Sequence, residues 1–163
     1  TYKENDLTFE PYDKTQLESK LAYEGAFKPY FAYIADCLKR FSSQRDKQKG
    51  EAYVHGFTLA MTSQCKFYRP ISELDNDGGY ADIFLRPLLE NYPDMEHSYI
   101  VELKYCKSDA TDEQVAKLRE AAIAQVNRYA DSDVVKSEVK TTCLHKIVVI
   151  FRSVDMVVCE EIE

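Results

Sequence analysis

Two apolar runs, Tyr80 to Leu85 and Tyr99 to Tyr105, alternate with the two-residue period of β-strands, and both carry charge inside the pattern. In Tyr99-Ile100-Val101-Glu102-Leu103-Lys104-Tyr105 the alternation sends Tyr99, Val101, Leu103 and Tyr105 to one face. Ile100, Glu102 and Lys104 go to the other. In the first run Ala81, Ile83 and Leu85 make the apolar face and Asp82 lies opposite, so pairing of the two strands can set Asp82 beside Glu102. Burying charge is expensive unless something pairs with it, which makes these positions the first candidates for chemistry.

The rest of the pattern frames these strands. Residues 1–13 read as an extended lead-in and Leu17 and Leu21 suit a short helix. Gly25 and Pro29 interrupt before Phe27, Phe31, Ile34, Leu38 and Phe41 repeat at helical spacing as a packing stripe. Residues 44–50 are polar and predict a loop. Glu51 to about Gln64 predicts a helix with Val54, Phe57, Ala60 and Met61 on its packed side. Phe67 to Leu74 is a strand candidate, and Asp75-Asn76-Asp77-Gly78-Gly79 is a turn leading into the strand Tyr80 to Arg86. Asp75 and Asp77 are turn-forming acids, since a calcium loop needs a longer ligand series. A connection over 87–96 precedes the strand Ser98 to Tyr105. Asp112 can then cap a helix over 113–130, with Val115, Leu118, Ala122, Val126 and Tyr129 inward. Residues 131–142 carry no decisive pattern, and Leu144 to Phe151 and Met156 to Ile162 close the chain as strands about a turn at 153–155. The order from Glu51 to Phe151 is helix, three strands, helix, strand. Periodicity assigns these elements without pairing them.

At 163 residues, 18.8 kDa and 45% hydrophobic content, the chain has room for a real core and reads most simply as one soluble domain. No apolar run reaches membrane-spanning length and no signal segment opens the chain. A start at Thr1 without an initiator Met leads us to expect a piece of a longer protein. Cys37, Cys65, Cys106, Cys143 and Cys159 form no C-x-x-C pair, so neither a zinc site nor a disulfide framework is signalled and a reducing cytoplasm is the expected setting. Cys106 follows Lys104 closely, but with no base partner in sight it reads as a small residue ending a strand. The net charge of -7 argues against broad electrostatic binding of nucleic acid without excluding acids that gather metal locally. The dense basic stretch, Lys39, Arg40, Arg45, Lys47 and Lys49, reads either as a phosphate grip or as a solvated helix end.

Two carboxylates converging on one point make a site for a hard cation, and a neighbouring ammonium is what phosphoryl chemistry adds to it. The competing reading is a Glu102–Lys104 ion pair on an exposed sheet face. Glu51 and His55, one helical turn apart, share a face. His55 reads more readily as a satisfied structural histidine than as a ligand. Gln125 and Tyr129 share a face in the same way.

Asp82, nineteen intervening residues and then Glu102-x-Lys104 resembles the metal-binding motif of the PD-(D/E)XK nuclease superfamily. Gln125 and Tyr129 in AIAQVNRYA resemble its Q-x-x-x-Y element, and Glu51 sits where the first core helix often supplies another acid. The usual Pro-Asp is replaced here by Ala81-Asp82, which leaves the carboxylate in place. The resemblance implies a restriction-endonuclease-like α/β core, a mixed central sheet flanked by helices with an added N-terminal helical segment. It implies a lead-in or linker over 1–49 and a nuclease domain over 50–163. Asp82 and Glu102 would be ligands of Mg²⁺ or Mn²⁺, with the Leu103 carbonyl as a further ligand, and Lys104 would orient or help deprotonate the attacking water. Glu51 would hold metal-bound water or a second ion, unless it is an ordinary acid at a helix N-terminus. Gln125 and Tyr129 would line the cleft and orient Lys104 or the DNA backbone, unless Tyr129 is simply core. Glu73 also occupies a place where relatives carry an acid. The order and spacing resemble the branch found after an AAA-ATPase-like domain in bacterial proteins. A cytoplasmic, metal-dependent nuclease acting on DNA is the function implied, and its rival is a silent module that binds nucleic acid or a partner domain.

Overall fold

The computed structural model describes residues 11–42, 50–74 and 80–163. The elements run α1 (Pro11–Glu24), α2 (Phe27–Phe41), α3 (Glu51–Ser63), β1 (Tyr68–Leu74), β2 (Tyr80–Pro87), β3 (His97–Cys106), α4 (Asp112–Ala130), α5 (Asp133–Val139), β4 (Cys143–Arg152) and β5 (Asp155–Ile162). The five strands form one sheet in the order β1-β2-β3-β4-β5. Neighbours are antiparallel except β3 and β4, which run parallel because α4 and α5 carry the chain back across the sheet between them. This is the mixed sheet flanked by helices that the resemblance implies.

Strand periodicity divides the molecule into two apolar layers. Odd-numbered Ile83, Leu85, Tyr99, Val101, Leu103, Ile147, Val149 and Phe151 pack with Leu21, Tyr30, Phe31, Ile34, Leu38 and Val54 from α1, α2 and α3. Even-numbered Phe84, Ile100, Val148 and Ile150 pack with Val115, Ala122, Val126 and Val135 from α4 and α5. With both faces covered, β3 and β4 are nearly continuous apolar runs, and Glu102 and Lys104 are exceptions inside one of them.

Several local expectations are corrected. Residues 11–13 already belong to α1, which begins at Pro11, a residue that loses nothing at a first helical position. Pro29 lies in the first turn of α2 for the same reason and does not interrupt it. The α2 stripe buries Phe27, Phe31, Ile34 and Leu38, together with Tyr30 and Cys37, but Phe41 is 73% exposed. The last turn of α2 has there reached the β4–β5 turn, where Lys39 pairs with Asp155 at 2.9 Å, and Phe41 lies past the layer. In α3 the buried face is Val54, His55, Thr58 and Thr62 while Ala60 is exposed. The two threonines can be buried because their hydroxyls donate back to the Val54 and Thr58 carbonyls at 2.9 and 3.0 Å. Residues 131–142 contain the helix α5, started by a Ser132 side chain that accepts from Val135 N. The N-terminal lead-in over 1–10, Arg45, Lys47 and Lys49, and the 75–79 turn lie outside the described residues.

The cap of α4 is Thr111 and not Asp112. Thr111 Oγ1 accepts from Gln114 N at 3.2 Å, and Gln114 Oε1 accepts from Thr111 N at 2.9 Å, a reciprocal capping box. Asp112 instead reaches an exposed ion pair with Arg152. Thr111→Ala is therefore expected to lower stability by about 1 kcal/mol, while Asp112→Ala stays within about 0.5 kcal/mol. Urea denaturation of the two variants checks this, and equal losses would overturn the assignment.

Candidate active site

Strands β2 and β3 pair with Leu85 opposite Tyr99, Phe84 opposite Ile100 and Ile83 opposite Val101. Asp82 and Glu102 are the residues next after the last pair, Ile83 and Val101, on the even-numbered face under α4 and α5. Both carboxylates are withdrawn from water, Asp82 at 5% exposure and Glu102 at 1%. Lys104, two residues along the same face, places Nζ 2.9 Å from Glu102 Oε1 with its side chain 17% exposed. The ion pair anticipated as the competing reading therefore exists, but inside a covered strand rather than on an exposed face. Screening is weak there and the desolvation of each charge is costly.

Lys104 pairs with Glu102, and Asp82 is the second buried carboxylate on this face. Asp82 Oδ2 has no hydrogen-bond partner among the described residues. An oxygen so placed is stable only if something of opposite charge, or a proton, comes to it. Gln125 Oε1, on α4, is also buried without a hydrogen-bond partner among the described residues. Tyr129, one turn further along, packs half-buried against the even-numbered layer with its hydroxyl enclosed. Helix α4 thus lays Gln125 and Tyr129 over the sheet face that carries Asp82, Glu102 and Lys104.

Other expected site residues are placed differently. Glu51 opens α3, whose preceding residue Gly50 approaches the Tyr105 ring, so it sits at the same end of β3 as Lys104. Its helix, however, packs on the odd-numbered face. His55 is buried on that helix and its Nε2 lies 3.3 Å from Ser72 Oγ, the satisfied position favoured from sequence. Leu103 sends its side chain into the odd-numbered layer between Glu102 and Lys104. Cys106 donates weakly to the Phe151 carbonyl at the strand end. The Glu73 side chain lies outside the described residues. Among the described residues no cluster of three or more His, Cys, Asp and Glu is placed to hold a metal.

A family model described as the PD-(D/E)XK nuclease superfamily matches residues 49–161. The chain belongs to this superfamily. PD-(D/E)XK proteins are usually nucleases and generally use divalent metal ions, and the matched segment of this PD-(D/E)XK chain includes Asp82, Glu102 and Lys104. No curated protein and no solved structure gives a significant match. Helices α1 and α2 lie before the matched segment yet share the core of its sheet.

Sequence reasoning missed a second polar group in this PD-(D/E)XK fold, at the other end of β3. His97 Nδ1 lies 2.8 Å from His145 Nε2, and His145 Nδ1 meets Glu161 Oε1. No local motif marks it, since the three residues sit on three strands whose order only the fold supplies.

The buried charge at Asp82 has a thermodynamic consequence. Asp82→Asn, which keeps shape and removes charge, is expected to raise the denaturation midpoint in metal-free buffer by about 1–2 kcal/mol of stability. A drop in chelator-treated samples would show that the carboxylate is already compensated.

Proposed function

We propose that this protein is a Mg²⁺-dependent nuclease that hydrolyses phosphodiester bonds of DNA. The observation that carries the reading is the burial of Asp82 and Glu102 on one sheet face, with Lys104 Nζ 2.9 Å from Glu102 Oε1. The donor set suits a hard cation: all oxygens, anionic, with Asp82 Oδ2 unpartnered among the described residues. Asp82, Glu102 and the Leu103 carbonyl would hold Mg²⁺ or Mn²⁺. Such an ion, when bound, supplies charge neutralisation at a phosphoryl oxygen and a more acidic water.

The chain's own groups do the rest. Glu102 holds Lys104 through the 2.9 Å ion pair, which fixes the ammonium beside the carboxylates rather than letting it extend into solvent. From there Lys104 orients the attacking water, donates to it and offsets the negative charge that grows on the phosphate. Gln125 and Tyr129 give α4 polar atoms over this face, and we assign them to positioning Lys104 or the DNA backbone. Glu51, at the same end of β3, is assigned to metal-bound water. Burial of the acids excludes bulk water and strengthens every contact around the reacting group.

Membership of the branch that follows an AAA-ATPase-like domain, with that domain as partner, and a cytoplasmic setting belong to the same reading. All five cysteines are unpaired, which fits a reducing compartment. Among the described residues no helix is long and apolar enough to cross a membrane. The net charge of -7 favours the rival, a module that binds a partner without cutting.

Cleavage of plasmid and linear DNA by the purified chain with Mg²⁺, Mn²⁺ or chelator decides between them. Lys104→Ala is expected to lower the cleavage rate by about 100-fold or more while the metal-dependent rise in melting temperature persists. Asp82→Ala is expected to lose both, because it takes a ligand from a site with few to spare. Absence of metal-dependent cutting by the wild type would leave the rival standing.

A further inference from the structure

An open-sided hollow of about 610 Å³ lies where β3 ends and α4 begins. That volume falls in the range of sites that take small ligands, about 300–1,000 Å³. Cys106 and Leu118 are among its walls, and both also pack against the even-numbered layer. Cys106 follows Lys104 by two residues on the same strand. The hollow therefore opens about 7 Å beyond Lys104, along the face that carries Glu102.

Two cations stand at this opening. Lys107, in the loop after β3, and Lys117, on α4, both line it, and Asp109 is the one carboxylate among the described residues that do. Lys107 forms no ion pair among the described residues. Lys117 meets Glu113, one turn back on the same helix, only at 4.0 Å, with side chains 76% and 82% exposed. A pair so exposed holds its partners weakly and gives way to a stronger acceptor. The loop itself is fixed. Ala110 N donates to the Lys107 carbonyl at 3.0 Å and Ser153 N to the Cys106 carbonyl at 2.8 Å, and the Thr111–Gln114 capping box joins the loop to α4. The backbone of Lys107 is thus held in place while its exposed side chain can still reach an anion.

A chain of net charge -7 offers a polyanion no general attraction, so its contact with DNA has to be local. Two ammoniums against one carboxylate, on the continuation of the face that carries Lys104, supply such a place. We propose, building on the nuclease reading above, that this hollow seats the DNA strand next to the scissile phosphate, with Lys107 and Lys117 each contacting a phosphate of the flanking backbone. An ammonium is a point charge, and a contact to phosphate carries no sequence information, so this subsite holds and orients the strand without selecting bases.

The test reads binding apart from cutting. Lys104→Ala serves as the common background in Mg²⁺ buffer, so that the probe persists, and fluorescence anisotropy follows a labelled oligothymidylate about ten nucleotides long. To this background are added either Lys107→Ala with Lys117→Ala, or Lys20→Ala with Lys28→Ala, which removes the same charge from exposed positions on α1 and α2. The first pair should weaken binding about tenfold or more at about 0.1 M salt. It should also lower the slope of log K against log salt by about 1.4, two phosphate contacts at about 0.7 each. The second pair should leave affinity and slope as in the background. Equal weakening by both pairs, unchanged affinity with the first pair, or no binding by the background protein overturns the subsite. Plasmid cleavage by the wild type is scored separately. Cutting together with an unchanged first pair removes the subsite and keeps the nuclease, whereas loss of binding by the first pair without any cutting keeps the hollow as a DNA seat and removes the nuclease.

Discussion

The structure is governed by the covering of the central strands on both faces. Once α1, α2 and α3 close one side of β3 and β4 and α4 and α5 close the other, the middle of both strands, 98–103 and 147–151, is removed from water on both faces. An aliphatic residue there contributes about 1.5–3 kcal/mol, whereas a carboxylate costs several kcal/mol before any partner is counted. Asp82 and Glu102 stand at such positions, and Lys104 pairs with Glu102. A fold optimised for stability would carry aliphatic residues at these places. The site is therefore a local departure from the pattern that builds the sheet, and the rest of the sheet supplies the stability it withdraws.

That departure is also why the centre of the site was legible in the amino-acid sequence. Alternation alone put Glu102 and Lys104 on one strand face, and the register adjoining Ile83 and Val101 brings Asp82 to them. Periodicity did not reveal which strands are neighbours, or that β3 and β4 are parallel. Those facts depend on a crossover whose second helix, α5, is only seven residues long and gives too short a period to detect. Thr58 and Thr62 were unreadable for another reason. Their burial depends on hydroxyls returning to helix carbonyls, which a hydrophobic pattern cannot express. Phe41 failed in the opposite direction: it continues an apolar stripe after the layer beneath has ended.

The helices that precede the family match are bound to the sheet by the same physics. Leu21, Tyr30, Phe31, Ile34 and Leu38 are buried against Tyr99, Val101 and Leu103, the odd-numbered face of the strand whose even-numbered face holds Glu102 and Lys104. Tyr68 and Tyr99 are buried with their hydroxyls directed to backbone carbonyls, Tyr68 at 2.7 Å to His97 and Tyr99 at 2.6 Å to Leu21. Burial pushes both phenols well above the ordinary tyrosine range, so they act as donors throughout physiological pH. These bonds hold the end of α1 and the start of β3 at a fixed spacing.

Strand β3 consequently carries two polar assemblies of opposite character, separated by about 20 Å along its length from His97 to Lys104. At the Lys104 end the buried carboxylates of Asp82 and Glu102 lie on the sheet face that carries an ion-paired ammonium. At the His97 end two imidazoles and one carboxylate satisfy one another through shared protons. The middle of the strand between them is hydrogen-bonded to β4 in unbroken parallel register. A strand so held does not slide by fractions of a residue, because a shift of one position would exchange its two faces and bring Glu102 into the odd-numbered core.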